Sequence, residues 1–196
     1  IQLGRRRQFW GRRRLGRLVM VANWFKTFFR VLRHRSQDTT DTRRAIPADM
    51  VQRLMERVAA SEQRHTGEIR IYVESSLPSS YLWRGADTRE RAVMMFSKLR
   101  VWDTAHNNGV LIYLMLAEHA IELVADRGID AHVPAQHWQM VVTRMADAFR
   151  SNRYEDGLTQ ALEEVSAVLV EHFPAMDAAG ASQPNPNELP DAPVLG

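Results

Sequence analysis

Asp103, Asn107 and Asn108 lie together in the stretch Asp103-Thr104-Ala105-His106-Asn107-Asn108-Gly109, and Asp126 heads a second polar stretch, Asp126-Arg127-Gly128. Carboxylate and amide oxygens are the donors that a hard cation such as Ca2+ or Mg2+ selects, so these four side chains are the candidate metal ligands. Their spacing is not that of an EF-hand loop. A second reading stays open for both stretches. Asn and Gly tolerate positive φ, so Asn-Asn-Gly also serves a loop whose side chains bond their own backbone. Asp126-Arg127-Gly128 also suits a strand-ending turn held by a local ion pair. His65, His106, His119, His132 and His137 form no HExxH or other metal spacing and read as surface or loop histidines. GxSxG, P-loop and GxGxxG patterns are absent, and so is cysteine, which leaves no catalytic residue to name.

The elements that must position these residues follow from periodicity. Ile46-Pro47 opens a helix reaching about Arg64, with Met50, Val51, Leu54, Met55 and Val58 at helical spacing. Glu68 to Glu74 alternates, with Ile69, Ile71 and Val73 on one face, and predicts the first strand. After a Ser/Pro loop at 75–80, Asp87-Thr88-Arg89-Glu90 has capping-box spacing and opens a helix carrying Ala92, Val93, Phe96 and Leu99. A loop over 100–109 leads into Val110 to Leu116, an apolar run suited to a strand covered on both faces. A tight turn at Glu118-His119 returns the chain as a third strand, Ala120 to Ala125. Two helices follow, Pro134 to Arg150 and Glu155 to His172. The order is α/β: a right-handed crossover makes the first two strands parallel, and a hairpin makes the third antiparallel. The candidate ligands then sit at strand ends of a small mixed sheet.

The chain has 196 residues and a formal charge of +3, but the charge is unevenly placed. Residues 1–37 carry eleven basic residues and no acid, whereas 38–196 are net acidic at −8. The basic character belongs to the leader, which disfavours nucleic acid as a partner of the folded part. The longest uncharged run there, Leu18 to Phe25, is far short of the ~20 residues a membrane helix needs. Over residues 20–35, helical spacing continues from Leu18 through Ala22, Phe25, Phe29 and Leu32 on one side, with Lys26, Arg30 and Arg33 elsewhere, a basic amphipathic pattern suited to an anionic membrane surface or a partner. A frayed basic tail is the other reading. Met20 heads a sensible protein start, so residues 1–19 are either native leader or upstream sequence. The expected organisation is a basic extension and linker over 1–45, an α/β domain over 46–174, and a disordered Pro-rich tail over 175–196.

The run from Thr66 to Pro174 resembles the TPM domain, shared by thylakoid-lumen proteins of photosystem repair and many bacterial proteins. The resemblance rests on TGEIRIYVE (66–74), WDT…NNGVLIYL (102–114), IELVADRGI (121–129) and FRSNRYEDGLTQALEEV (149–165), in that order. It implies a three-layer α/β/α sandwich around a small sheet. Some members are credited with acid-phosphatase activity and a bound divalent cation, usually calcium; others act as adaptors in membrane-protein assembly. Asp103, Asn107, Asn108 and Asp126 match the family's acidic and Asn positions. Where many members carry a GxGLEG-like stretch, this chain has Asp126-Arg127-Gly128-Ile129-Asp130, which weighs against phosphatase activity. The signal peptide and C-terminal membrane helix of exported members are likewise not seen.

These readings converge on a cytoplasmic interaction or adaptor module that takes Ca2+ or Mg2+, works with a protein partner, and touches the inner membrane peripherally through 20–35. The alternative is a metal-assisted acid phosphatase.

Overall fold

The computed structural model describes residues 30–32, 34, 39–176 and 186–196. Residues 1–29, most of 33–38, and 177–185 lie outside the described residues, and with them most of the amphipathic segment and part of the Pro-rich tail.

Helix α1 spans Thr39–Ala45, α2 Ala48–Glu62 and strand β1 Glu68–Glu74. A short helix α3 (Ser79–Trp83) precedes α4 (Thr88–Lys98). Strand β2 (Gly109–Met115) joins β3 (Ala120–Ala125) through a single 3-10 turn at Leu116–Glu118. A one-turn helix α5 (Arg127–Asp130) leads to α6 (Ala135–Arg150), α7 (Tyr154–His172) and a short strand β4 (Val194–Leu195).

The sheet order is β3-β2-β1-β4. β1 and β2 are parallel, with Ile71 opposite Ile112, and β3 is antiparallel to β2, with Ile112 opposite Leu123. The β2–β3 turn closes on His119, which adopts φ 48°. Two apolar layers flank the sheet. Ile69, Ile71, Val73, Ile112 and Leu123 pack under α2, α6 and α7 through Leu54, Val58, Val141, Phe149, Leu158 and Val165. On the other face Leu111, Tyr113, Met115 and Val124 meet Leu82 of α3 and Ala92, Met95 and Phe96 of α4. This is an α/β/α sandwich around a mixed sheet. Each fully buried Ile or Leu stabilises it by roughly 1.5–3 kcal/mol. Asp87 caps α4 by accepting from Glu90 N at 2.8 Å, as the capping-box spacing predicts.

Three segments differ from the sequence reading. The polar stretch expected to be linker forms α1 over 39–45: Thr42 is fully buried, and an Asp41–Arg44 ion pair of 3.0 Å spans one turn. The Ser/Pro loop contains α3, which begins directly after Pro78. The third difference lies in the tail. It was expected to be disordered from 175 onward, yet residues 186–196 lie along the sheet, and β4 pairs in parallel with β1, Tyr72 opposite Val194 and Val73 opposite Leu195. A Pro-rich segment with little to bury gains order here because β1 supplies the partners for its backbone.

Candidate functional site

The loop between α4 and β2 and the segment after β3 meet at one end of the sheet. Because β1 and β2 are parallel and the loop precedes β2, this is the amino end of the pair, opposite the carboxyl end where open α/β sheets usually place ligands. The β2–β3 ladder continues past both strands: Asp126 N donates to Gly109 O and Gly128 N to Asn107 O, each at 2.9 Å. Asn107 takes φ 53°, the left-handed turn its residue type permits. Gly128 is required for the approach, since a Cβ there would stand 2.5 Å from Asn107 O and 2.7 Å from His106 O. The Asp126-Arg127-Gly128 stretch is therefore a docked helix start, with the Arg127 side chain on Asn107.

The four candidate ligands separate into two pairs. Asn108 is fully buried; its Nδ2 donates to Thr66 O at 3.0 Å, while its Oδ1 has no hydrogen-bond partner among the described residues. Asp126 is 8% exposed and caps α5, Oδ1 accepting from Arg127 N at 2.7 Å, while its Oδ2 is likewise buried and unpartnered. A buried acceptor left unsatisfied costs about 1–3 kcal/mol, so two at one strand mouth call for an explanation. The other pair is engaged elsewhere. Asp103 forms an exposed 2.6 Å ion pair with Arg100. Asn107 Oδ1 accepts from Arg127 Nε at 2.9 Å and from Arg127 Nη2. The described residues hold no group of three His, Asp or Glu side chains arranged for a metal. Asn108 Oδ1 and Asp126 Oδ2 are thus the two candidate oxygens left open, and a cation at either would draw the rest of its shell from backbone and water oxygens.

Two of the histidines, His65 and His119, serve structure. His65 is fully buried, bonds Ser61 Oγ at 2.9 Å and Gly67 O at 3.0 Å, and burial pulls it down to about 4, so it is neutral. That Ser–His contact is sealed from solvent and offers no nucleophile. His119 Nδ1 lies 3.2 Å from Phe149 O and ties the β2–β3 turn to α6.

Several polar residues carry more of the architecture than their pattern suggests. Alternation puts Glu68, Arg70, Tyr72 and Glu74 on the second face of β1, yet all of β1 is buried. Glu74 pairs with Arg91 and accepts from Tyr113 OH at 2.6 Å. Glu68 and Arg70 face the C-terminal segment. At the carboxyl end of β2, Glu118 accepts from Arg30 Nε at 2.6 Å and meets His34 at 3.1 Å, with Thr88 as a further donor. Burial opposes ionisation of Glu118, but hydrogen bonds from His34, Thr88 and Arg30 hold it down at about 2.

A profile of the TPM domain matches residues 39–168. The chain belongs to the TPM-domain family. The match begins at the first residue of α1 and ends inside α7, so it takes in both pairs of candidate ligands and the first three strands. Two solved structures share the fold seen here. The BA42 protein of the psychrophilic bacterium Bizionia argentinensis, determined by NMR, superposes with a TM-score of 0.62 at 23% identity, over 77% of this chain and 95% of that one. The N-terminal domain of a P. gingivalis protein, also an NMR structure, gives 0.53 at 20% identity, over 65% and 81%. No curated protein matches. No helix among the described residues is long and apolar enough to cross a membrane.

Proposed function

We propose that this TPM domain is an interaction module that binds a divalent cation at the amino end of its sheet and works beside a membrane surface. The observation carrying the proposal is the pair of buried, unpartnered oxygens, Asn108 Oδ1 and Asp126 Oδ2, on segments joined by the extended β2–β3 ladder. Oxygen-only donors suit Ca2+ or Mg2+. Interaction is favoured over catalysis because the loop 103–109 and the segment 126–130 present no hydroxyl paired with a base. A groove of about 900 Å3 opens beside them, lined by Arg89, Glu122, Asp130, Val133, Trp138 and Val142 among others, against the sheet's β3 edge. It gives a protein partner a place to dock.

Membrane proximity rests on the basic amphipathic pattern of 20–35. Its described end is fastened to the domain: Arg30 pairs with Glu118, and His34 Nδ1 accepts from Leu77 N at 3.0 Å. A segment fixed in this way would present the domain in one orientation, at the cytoplasmic face if the chain stays inside the cell.

Isothermal titration of the full chain with calcium, then magnesium, tests the cation site. Saturable binding that weakens in Asp126→Asn supports it; binding unchanged by that substitution rules these oxygens out. Sedimentation with anionic vesicles at low salt tests the surface contact, which should weaken when Lys26, Arg33 and Arg35 are replaced by Gln. The phosphatase reading has one favouring feature, the exposed Arg127 guanidinium held on Asn107 Oδ1 in the same loop cluster as Asp126. A cation there would polarise a phosphoryl oxygen. Phosphate-ester turnover abolished by a chelator and by Asp126→Asn would establish it in place of the adaptor role.

A further inference from the structure

The C-terminal segment 186–196 lies outside the family match, which ends at residue 168, yet it occupies the β1 edge of the sheet. The contacts that seat it are mostly to its backbone. The buried Glu68 accepts from Leu189 N at 3.1 Å. Arg70 Nη1 donates to Pro190 O and, at 2.9 Å, to Ala192 O. Gly196 N donates to Val73 O at 2.8 Å, and Thr42 Oγ1 donates to Gly196 O at 2.9 Å. Two side chains add to these: Leu189 is buried against the α3–α4 layer, and Glu188 accepts from Ala105 N at 3.0 Å.

A buried carboxylate and a buried guanidinium two residues apart on one strand are expensive to keep dry, and each here is directed to peptide groups of the segment. Recognition through backbone amides and carbonyls, with one apolar pocket, is how sheet edges take up extended peptides. It tolerates changes of sequence. The acidic side chains of the segment lie over the same residues, Asp191 close to Glu62, Glu68 and Arg70 and Glu188 close to Glu68. Its own pairing with β1 is two residues long.

From this we infer that the β1 edge is a peptide-binding groove, and that residues 186–196 are its tethered occupant. The partner it fits is an extended protein segment of the same chemistry: a carboxylate, an apolar residue next to it, then two apolar residues five and six positions beyond that one. Such a segment displaces the chain's own and pairs with β1. The inference rests on the interaction-module reading and adds to it a second docking edge, across the sheet from the β3-edge groove, with its partner class and regulation.

The test uses the full chain and a fluorescent peptide of residues 186–196. In the tail variant Leu189→Asp/Val194→Asp, which leaves the groove untouched, the peptide should bind at least tenfold more tightly than it does to the native chain. A peptide with unrelated residues that keeps Glu-Leu-x-x-x-x-Val-Leu should compete, and a scrambled one should not. Equal binding to both chains, or none to a tail variant that still melts cooperatively, overturns the inference. Should that variant fail to fold, a native chain with a protease site placed in 177–185 decides the matter. After cutting, the released segment should exchange with labelled peptide, and a segment that never exchanges is a structural strand. Failed exchange with intact calcium binding defeats this inference alone; loss of both defeats the interaction-module reading as well.

Discussion

The two ends of the β1–β2 pair handle buried charge in opposite ways. At the carboxyl end Glu74, Arg91 and Tyr113 satisfy one another, and Glu118 is met by Arg30, His34 and Thr88. At the amino end Asn108 and Asp126 each keep one buried oxygen without a partner. Both ends are desolvated, so burial alone does not mark a site. A closed network fixes the fold, and open acceptors leave room for a ligand. The usual ligand end of an α/β sheet is here filled with ion pairs, and the unpartnered acceptors lie at the other end.

The largest effect should come from breaking the closed end. Arg91→Ala strands Glu74, whose carboxylate is 8% exposed, and removing one partner of a buried ion pair typically costs about 3–5 kcal/mol. Urea denaturation should show that loss, with calcium binding per folded molecule unchanged.

The open end should respond the other way round. Asn caps helices about as well as Asp, so Asp126→Asn should alter stability by less than about 0.5 kcal/mol. Calorimetry should nonetheless show calcium affinity falling tenfold or more.

A third prediction sets the two ends against each other across pH. Glu118 is held down at about 2, so its contribution is complete above its unfolded value near 4.5 and is lost as pH falls toward 2. Glu62, at the amino end of β1, is pushed up to about 8 by burial, reinforced by Glu68 and Asp191. The folded state keeps a proton there that the unfolded chain releases, so this group's effect lowers stability as pH rises from about 4.5 to about 8. His65, held at about 4 by burial, works the other way and adds stability as pH rises from about 4 to its unfolded value of 6.5. The urea midpoint should therefore be nearly flat between about pH 4.5 and 6.5 and fall from there toward pH 8. Glu62→Gln, which keeps the acceptor for Ile69 N, should flatten the alkaline side. Thr88→Val should weaken the acid side.

The smallest effect is expected at Asp103. Its ion pair with Arg100 is solvent-exposed, and such pairs contribute about 0–1 kcal/mol. Asp103→Ala should leave calcium affinity within about twofold of native, and a larger loss would return Asp103 to the ligand set.

The fold was legible where pattern and burial agree. EIRIYVE and the apolar run before the turn became β1 and β2, and the parallel and antiparallel pairings followed from connection length. The polar face of β1 was not legible, because alternation reads Glu68 and Arg70 as solvent-facing, and only the C-terminal segment lying over them makes them interior. That segment was illegible for the matching reason: its order comes from β1, not from its own residues. Within the candidate site, sequence supplied four oxygen-bearing side chains but could not rank them. Asn107 and Asn108 are adjacent and chemically identical; one faces Arg127 and the other keeps a dry, unpartnered oxygen, a difference set by the turn at Asn107.

The most direct measurement is an amide-shift NMR titration of the full chain with calcium, followed by magnesium. The account predicts saturable shifts confined to 103–109 and 126–130, with Asn108 and Asp126 the most affected, and silence around Glu74 and Glu118. No shifts up to millimolar metal, or shifts centred on the carboxyl end, would contradict it.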